Sequence, residues 1–146
     1  MAPRGEPPSA PGFREIDHSG DIGIEAWGDS RAELFANATR GLLGLMVWGR
    51  AQGGVSRRIE VRSSSAADLL VDWLAEVILA AATHGEVYGD VSMERAGETS
   101  AAGVLRGAVF AAGRHERRFD VKAATYHDLL CEESAGRYHA RVIFDL

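Results

Sequence analysis

Two apolar stripes at helical spacing, both placed before Gly85, constrain the fold of this chain more than any other feature. Ser30 followed three residues later by Glu33 forms a capping box, and Leu34, Phe35, Ala38, Leu42, Leu45 and Met46 recur on one helical face. The spacing predicts a helix over Arg31 to Val47. A second cap, Ser65 with Asp68, precedes Leu69, Leu70, Trp73, Leu74, Val77, Ile78 and Ala81. Elsewhere the pattern is extended. Short strands are expected at Phe13 to Ile16 and Ile22 to Trp27, and Val55 to Arg62 alternates with Val55, Arg57, Ile59 and Val61 on one side. Further extended segments run over Glu86 to Arg95, Thr99 to Ala112, Phe119 to His127, Leu129 to Glu133 and Arg137 to Leu146, with a hairpin at Ser134-Ala135-Gly136. Helices early and strands late define an α+β domain, two amphipathic helices packed on a largely antiparallel sheet in two layers.

Size and composition agree with one such domain. Of the 146 residues, Met1 to Gly12 hold all four prolines and too little apolar surface to order themselves, so residues 1–12 are expected to be a disordered tail and 13–146 the domain. About 130 residues suffice for a single core. No apolar run approaches the ~20 residues that cross a bilayer, and the first residues lack the apolar stretch of a signal peptide, so a cytoplasmic protein without a membrane partner is expected. The single Cys131 excludes an internal disulfide and a cysteine metal cluster. A formal charge of −5 argues against direct nucleic-acid binding, which draws on a basic face. Fifteen of the sixteen basic residues are Arg, leaving Lys122 as the only Lys.

Three segments carry residues with chemical potential. Asp17, His18, Ser19 and Asp21 crowd one turn, where they either converge on a cation or stabilise the turn through their own backbone. At the other end, Arg141-Val142-Ile143-Phe144-Asp145-Leu146 reads as an apolar strand stopping at a carboxylate beside the last residue, or as a frayed end. Taken together they offer an all-oxygen ligand set suited to Ca²⁺ or Mg²⁺; zinc is disfavoured for want of thiolates and a His pair, though His18 could complete a transition-metal site. In the third segment, an extended Asp120 to Asp128 would place Asp120, Lys122, Ala124 and Tyr126 on one face. Asp72 and Glu76, four residues apart on the second helix, read as a solvated face. The chain has no P-loop, no Gly-x-Ser-x-Gly elbow, no His-Glu-x-x-His and no Cys-x-x-Cys.

Four segments in order resemble the archease family: His18-Ser19-Gly20-Asp21-Ile22-Gly23-Ile24, Leu69-Leu70-Val71-Asp72-Trp73-Leu74 with Glu76, Val121-Lys122-Ala123-Ala124-Thr125-Tyr126-His127, and Ile143-Phe144-Asp145-Leu146. The resemblance implies a non-catalytic protein that assists an RtcB-type RNA ligase in tRNA splicing or RNA repair, promoting its guanylylation and multiple turnover. It also implies a divalent cation, Ca²⁺ foremost with Mg²⁺ or Mn²⁺ as alternatives, held by Asp21, Asp145 and Leu146. Asp17, His18 and Ser19 then stand behind these ligands, and Lys122 maps to a residue important for the partner. The chain departs from the family at Ser19-Gly20, where Thr-Ala is commoner, and at Leu146, where Ile or Val is commoner. Two other readings of the same residues are a freestanding metal-dependent phosphohydrolase with His18 as base, and a chaperone-like module in which a cation ties the end of the chain to the turn.

Overall fold

The computed structural model describes residues 12–49 and 51–146, apart from the side chain of His18. Most of the expected tail thus lies outside the described residues. Gly12 is described, and its carbonyl accepts the Trp27 amide at 2.8 Å. The chain runs β1 (Phe13–His18), β2 (Asp21–Gly28), α1 (Arg31–Met46), β3 (Val47–Trp48), β4 (Val55–Arg62), α2 (Ala66–His84), β5 (Glu86–Ala96), β6 (Ser100–Val109), β7 (Glu116–Arg117), β8 (Ala123–Ala124), β9 (Leu130–Ser134) and β10 (Arg137–Asp145).

The α+β reading holds, with every strand pairing antiparallel. The strands divide into a five-stranded sheet in the order β1-β2-β10-β8 with β9 also on β10, a three-stranded sheet β4-β6-β5, and a short β3–β7 ribbon. Helix α1 bridges the larger sheets by packing on both β2 and β5, while α2 lies chiefly on β4. Between them sit Phe35, Leu42, Leu45, Trp73, Leu74, Leu105 and Phe144, all fully buried. A polar chain crosses this core: Trp73 Nε1 donates to Thr39 Oγ1 at 2.8 Å, and Thr39 Oγ1 donates to the Phe35 carbonyl at 2.6 Å. Burying an indole N–H without a partner is costly, so Thr39 fixes how α2 meets α1.

Both predicted caps form, Ser30 accepting from the Glu33 amide and Ser65 from the Asp68 amide. Gly85, at φ 61°, ends α2 in the left-handed conformation that favours glycine. Helix α1 stops one residue short of expectation because Val47 is extended and begins the ribbon. The terminal carbonyls of α1 are then satisfied from outside: the amides of Arg118 and Phe119 donate to the carbonyls of Met46 and Leu45. That docking corrects the expected strand over Phe119 to His127. Its first residue, Phe119, helps to cap a helix, and only Ala123–Ala124 pairs as a strand.

Candidate cation site at the end of the five-stranded sheet

The turn between β1 and β2 is tighter than the sequence suggested. Only Ser19 and Gly20 lie in it, with φ of 48° and 91°. Positive φ at both central residues is what a two-residue hairpin needs to match strand twist. Asp17 and His18 are therefore strand residues, opposite Ile22 and Asp21 respectively. Directly opposed residues share a sheet face, and the face alternates at each step. Ile22 faces the core, so Asp17 stands on the opposite face from Asp21. The His18 side chain lies outside the described residues.

On its other side β2 pairs with β10, bringing Ile143 opposite Gly23 and Phe144 opposite Ile22. One more step of this register brings Asp145 beside Asp21. Phe144 and Ile22 point into the core, so the two carboxylates point away from it; both are exposed. Across β10, Asp145 pairs with Ala123, and the Lys122 amide donates to the Asp145 carbonyl at 2.8 Å. Residues from three distant stretches, Asp21, Lys122 and Asp145 with Leu146, thus meet at one end of one sheet. Among the described residues Asp21 and Asp145 form no ion pair, and no three His, Cys, Asp or Glu side chains are grouped to hold a metal.

The donor set fits a hard cation. It supplies two carboxylates, and the resemblance adds main-chain oxygen at Leu146, next to the Asp145 carbonyl that accepts the Lys122 amide. Solvent would provide the remaining oxygens that Ca²⁺ or Mg²⁺ requires. Gly23 sets the floor of this end. A Cβ there would lie 2.7 Å from Ile143 Cδ1, 2.7 Å from the Val142 carbonyl oxygen and 3.2 Å from Ile16 Cγ1. Only glycine lets Ile16 and Ile143 close over β2 directly beneath Asp21 and Asp145. The sequence showed Gly23 only as one member of an alternating strand.

Lys122 is exposed, and the segment after it is secured at both sides. Thr125 gives its amide and hydroxyl to the Ile143 carbonyl, at 3.0 and 2.8 Å. Tyr126 Oη donates to Asp68 Oδ1 at 2.7 Å, and Asp68 also accepts from the Ser64 and Ser65 hydroxyls. The Tyr126 hydrogen bond holds the Asp68 carboxyl below its ordinary range, while the same bond pushes Tyr126 up to about 12. Asp68 therefore links the α2 cap to the Lys122 segment, a role the sequence concealed behind its capping signal. Of the segment expected to be extended over Asp120 to Asp128, only Ala123–Ala124 pairs as a strand; Asp120, Lys122 and Tyr126 are exposed and Ala124 is half-buried. Asp72 and Glu76 lie exposed on α2 as expected, with Asp72 accepting from Ser63 Oγ.

A second carboxylate behaves differently. Glu86, 5% exposed, accepts from Arg57 at 2.7 and 2.9 Å and from the Tyr88 hydroxyl at 2.9 Å. The Arg57 hydrogen bonds hold Glu86 below the usual carboxylate range against the effect of burial. It borders a cavity of about 470 Å³ shared with Met46, Ile78, Phe119 and Val121. Cys131 is half-buried, and burial raises its thiol pKa, which suits a packed strand residue.

The arrangement is that of a small α+β domain with a carboxylate pair at a sheet end, and no described helix is long and apolar enough to cross a membrane. Residues 13–146 match the Archease protein family, and the chain belongs to it. The protein archease of Thermococcus kodakarensis is 32% identical over 140 residues, covering 92% of this chain and 98% of the relative. That of Methanothermobacter thermautotrophicus is 31% identical over 139 residues, covering 92% and 99%. The solution structure of Methanobacterium thermoautotrophicum protein 1598 superposes with a TM-score of 0.76 at 30% identity, over 92% of this chain and 99% of that one. A crystal structure from Thermotoga maritima, described as an archease and possible chaperone, shares the fold at TM-score 0.61 and 22% identity, over 91% and 96%.

Proposed function

We propose that this chain activates an RtcB-type RNA ligase, promoting its guanylylation and repeated turnover, with a divalent cation held by Asp21, Asp145 and the main-chain oxygen of Leu146. The observation that carries this reading is the register that brings Asp21, Asp145 and the Lys122 backbone to one exposed sheet end. Two carboxylates left without an ion-pair partner among the described residues repel each other, and a cation between them relieves that repulsion. Exposure makes the site accessible to a partner's nucleotide or metal centre, and Lys122 adds a mobile positive charge at its edge. The protein supplies ligands and contacts, and the ligase supplies the chemistry.

The test is a multiple-turnover ligation assay with limiting metal. Asp21→Asn and Asp145→Asn should each remove the stimulation, and Lys122→Ala should weaken it. Full stimulation by the double carboxylate variant would overturn the reading.

A chaperone-like role is the alternative. It is favoured by the way a cation would tie the end of β10 to the β1–β2 hairpin, and it agrees with the description of the Thermotoga maritima relative. In that case the cation raises thermal stability, but a folded carboxylate variant keeps full partner function.

A further inference from the structure

The geometry points to the cavity beside Glu86 as a binding site for a neutral aromatic small molecule carrying one N–H or O–H donor, apart from the candidate cation site. The cavity, about 470 Å³, lies where the C-terminal ends of α1 and α2 approach the start of β5 and residues 117–121. Its volume falls in the range of about 300–1,000 Å³ typical of small-molecule pockets. Protein interiors otherwise fill such space with side chains.

The backbone keeps this space open. The Arg118 and Phe119 amides donate to the carbonyls of Met46 and Leu45 at 3.1 and 3.0 Å, which holds one wall against the end of α1. The Phe110 amide donates to the Gly85 carbonyl at 2.9 Å and fixes a second wall, where α2 turns into β5. Ala81 and Ala82, on the last turns of α2, line the cavity without filling it. Leu43, Ile78, Val87 and Val121 are buried and form an apolar interior, whereas Ala82, Gly85, Arg117 and Asp120 are exposed and mark the mouth.

The lining defines the class of ligand. Tyr88 and Phe119 contribute rings and Met46 a thioether, groups that pack well against an aromatic molecule. Charge is balanced throughout: Glu86 is paired with Arg57 and Arg118 with Glu15, while the exposed Arg117 and Asp120 add one charge of each sign. A charged ligand would lose hydration without gaining an uncancelled partner in the interior. Tyr88 is 2% exposed, and its hydroxyl donates its only hydrogen to Glu86 at 2.9 Å, so its oxygen is left to accept. A single donor on the ligand answers that oxygen.

The test uses the full chain and a set of compounds sharing one ring system: indole, N-methylindole with its donor blocked, indoleacetate and tryptamine. Isothermal titration at neutral pH reads the affinities. Indole should bind, N-methylindole up to about 10-fold more weakly, the scale of one hydrogen bond, and both charged analogues more weakly than indole. Tyr88→Phe should remove the preference for indole over N-methylindole, which the loss of a merely structural hydroxyl would not do. Ala81→Trp fills the cavity and should abolish binding. Ala82→Trp, at the exposed mouth, serves the same purpose if thermal unfolding shows that Ala81→Trp does not fold. Failure of indole to bind, unchanged affinity in a folded tryptophan variant, or tighter binding of tryptamine or indoleacetate would each overturn the proposal. So would a preference for indole that survives in Tyr88→Phe.

Discussion

Glu86 and the pair Asp21/Asp145 are carboxylates at opposite extremes of environment. Glu86 is buried and has two donors, Arg57 and the Tyr88 hydroxyl, so its charge is consumed by the fold. Asp21 and Asp145 are exposed, sit side by side through the β2–β10 register, and have no ion-pair partner among the described residues. A carboxylate already satisfied stabilises; one held in place but unsatisfied is available to a ligand. The backbone makes this second state possible, because strand pairing positions Asp21 and Asp145 without using their side chains.

The sharpest way to break the comparison is to exchange the expected consequences of removing each charge. Glu86→Leu leaves the buried Tyr88 hydroxyl without its acceptor, and an unsatisfied buried donor costs about 1–3 kcal/mol. Asp21→Asn and Asp145→Asn should stay within about 0.5 kcal/mol of the parent protein. Urea denaturation measures both. A destabilisation by Asp21→Asn as large as that of Glu86→Leu would show that the sheet-end pair is structural.

Gly23→Ala sharpens the same contrast from beneath the site. The new methyl group meets Ile143 Cδ1 and the Val142 carbonyl oxygen at 2.7 Å, and overpacking of this kind costs about 1–3 kcal/mol. The side chain can shift, whereas the carbonyl belongs to the strand that positions Asp145. The variant should therefore lose cation affinity as well as stability, which isothermal titration with Ca²⁺ would detect.

The cation itself should produce a smaller stability change. If Ca²⁺ binds the folded protein at Asp21 and Asp145, a concentration ten times the dissociation constant adds about 1.4 kcal/mol by linkage. The gain should vanish in the double Asn variant and persist in Glu86→Leu. Thermal melts across a metal titration read it directly.

How much of this was legible in the sequence depended on whether the signal was local. Both helices and β4 were readable because caps and apolar periodicity lie within a single segment. Pairing between distant strands carries no such signature, so the division into two sheets and a ribbon was hidden. The β1–β2 turn was overestimated because Asp17 and His18 are turn-forming types, although the fold uses them as strand residues. Asp21, Asp145 and Leu146 could be joined only by family resemblance, since their proximity is a matter of register. Gly23 and the Tyr126–Asp68 bond depend on packing partners 120 and 58 residues away and gave no usable pattern.

Tyr126 offers the finest test of how the Lys122 segment is held. Its hydroxyl donates to Asp68, and that bond raises its pKa from the ordinary value of 10.0 to about 12. A group whose folded pKa is raised contributes stability that is fully present below its unfolded value and is lost as pH rises through the folded one. The contribution should therefore be intact below pH 10.0 and fade towards about 12. Tyr126 is 57% exposed, so solvent screens the bond and the effect on global unfolding should be small. Tyrosinate absorbance in the folded protein should show two of the three tyrosines titrating late, Tyr88 because it is buried and Tyr126 because it donates to Asp68, and Asp68→Asn should return only Tyr126 towards its ordinary value. Normal titration of Tyr126 in the parent protein would mean that the bond to α2 is not maintained in solution, and that Lys122 is positioned by β10 alone.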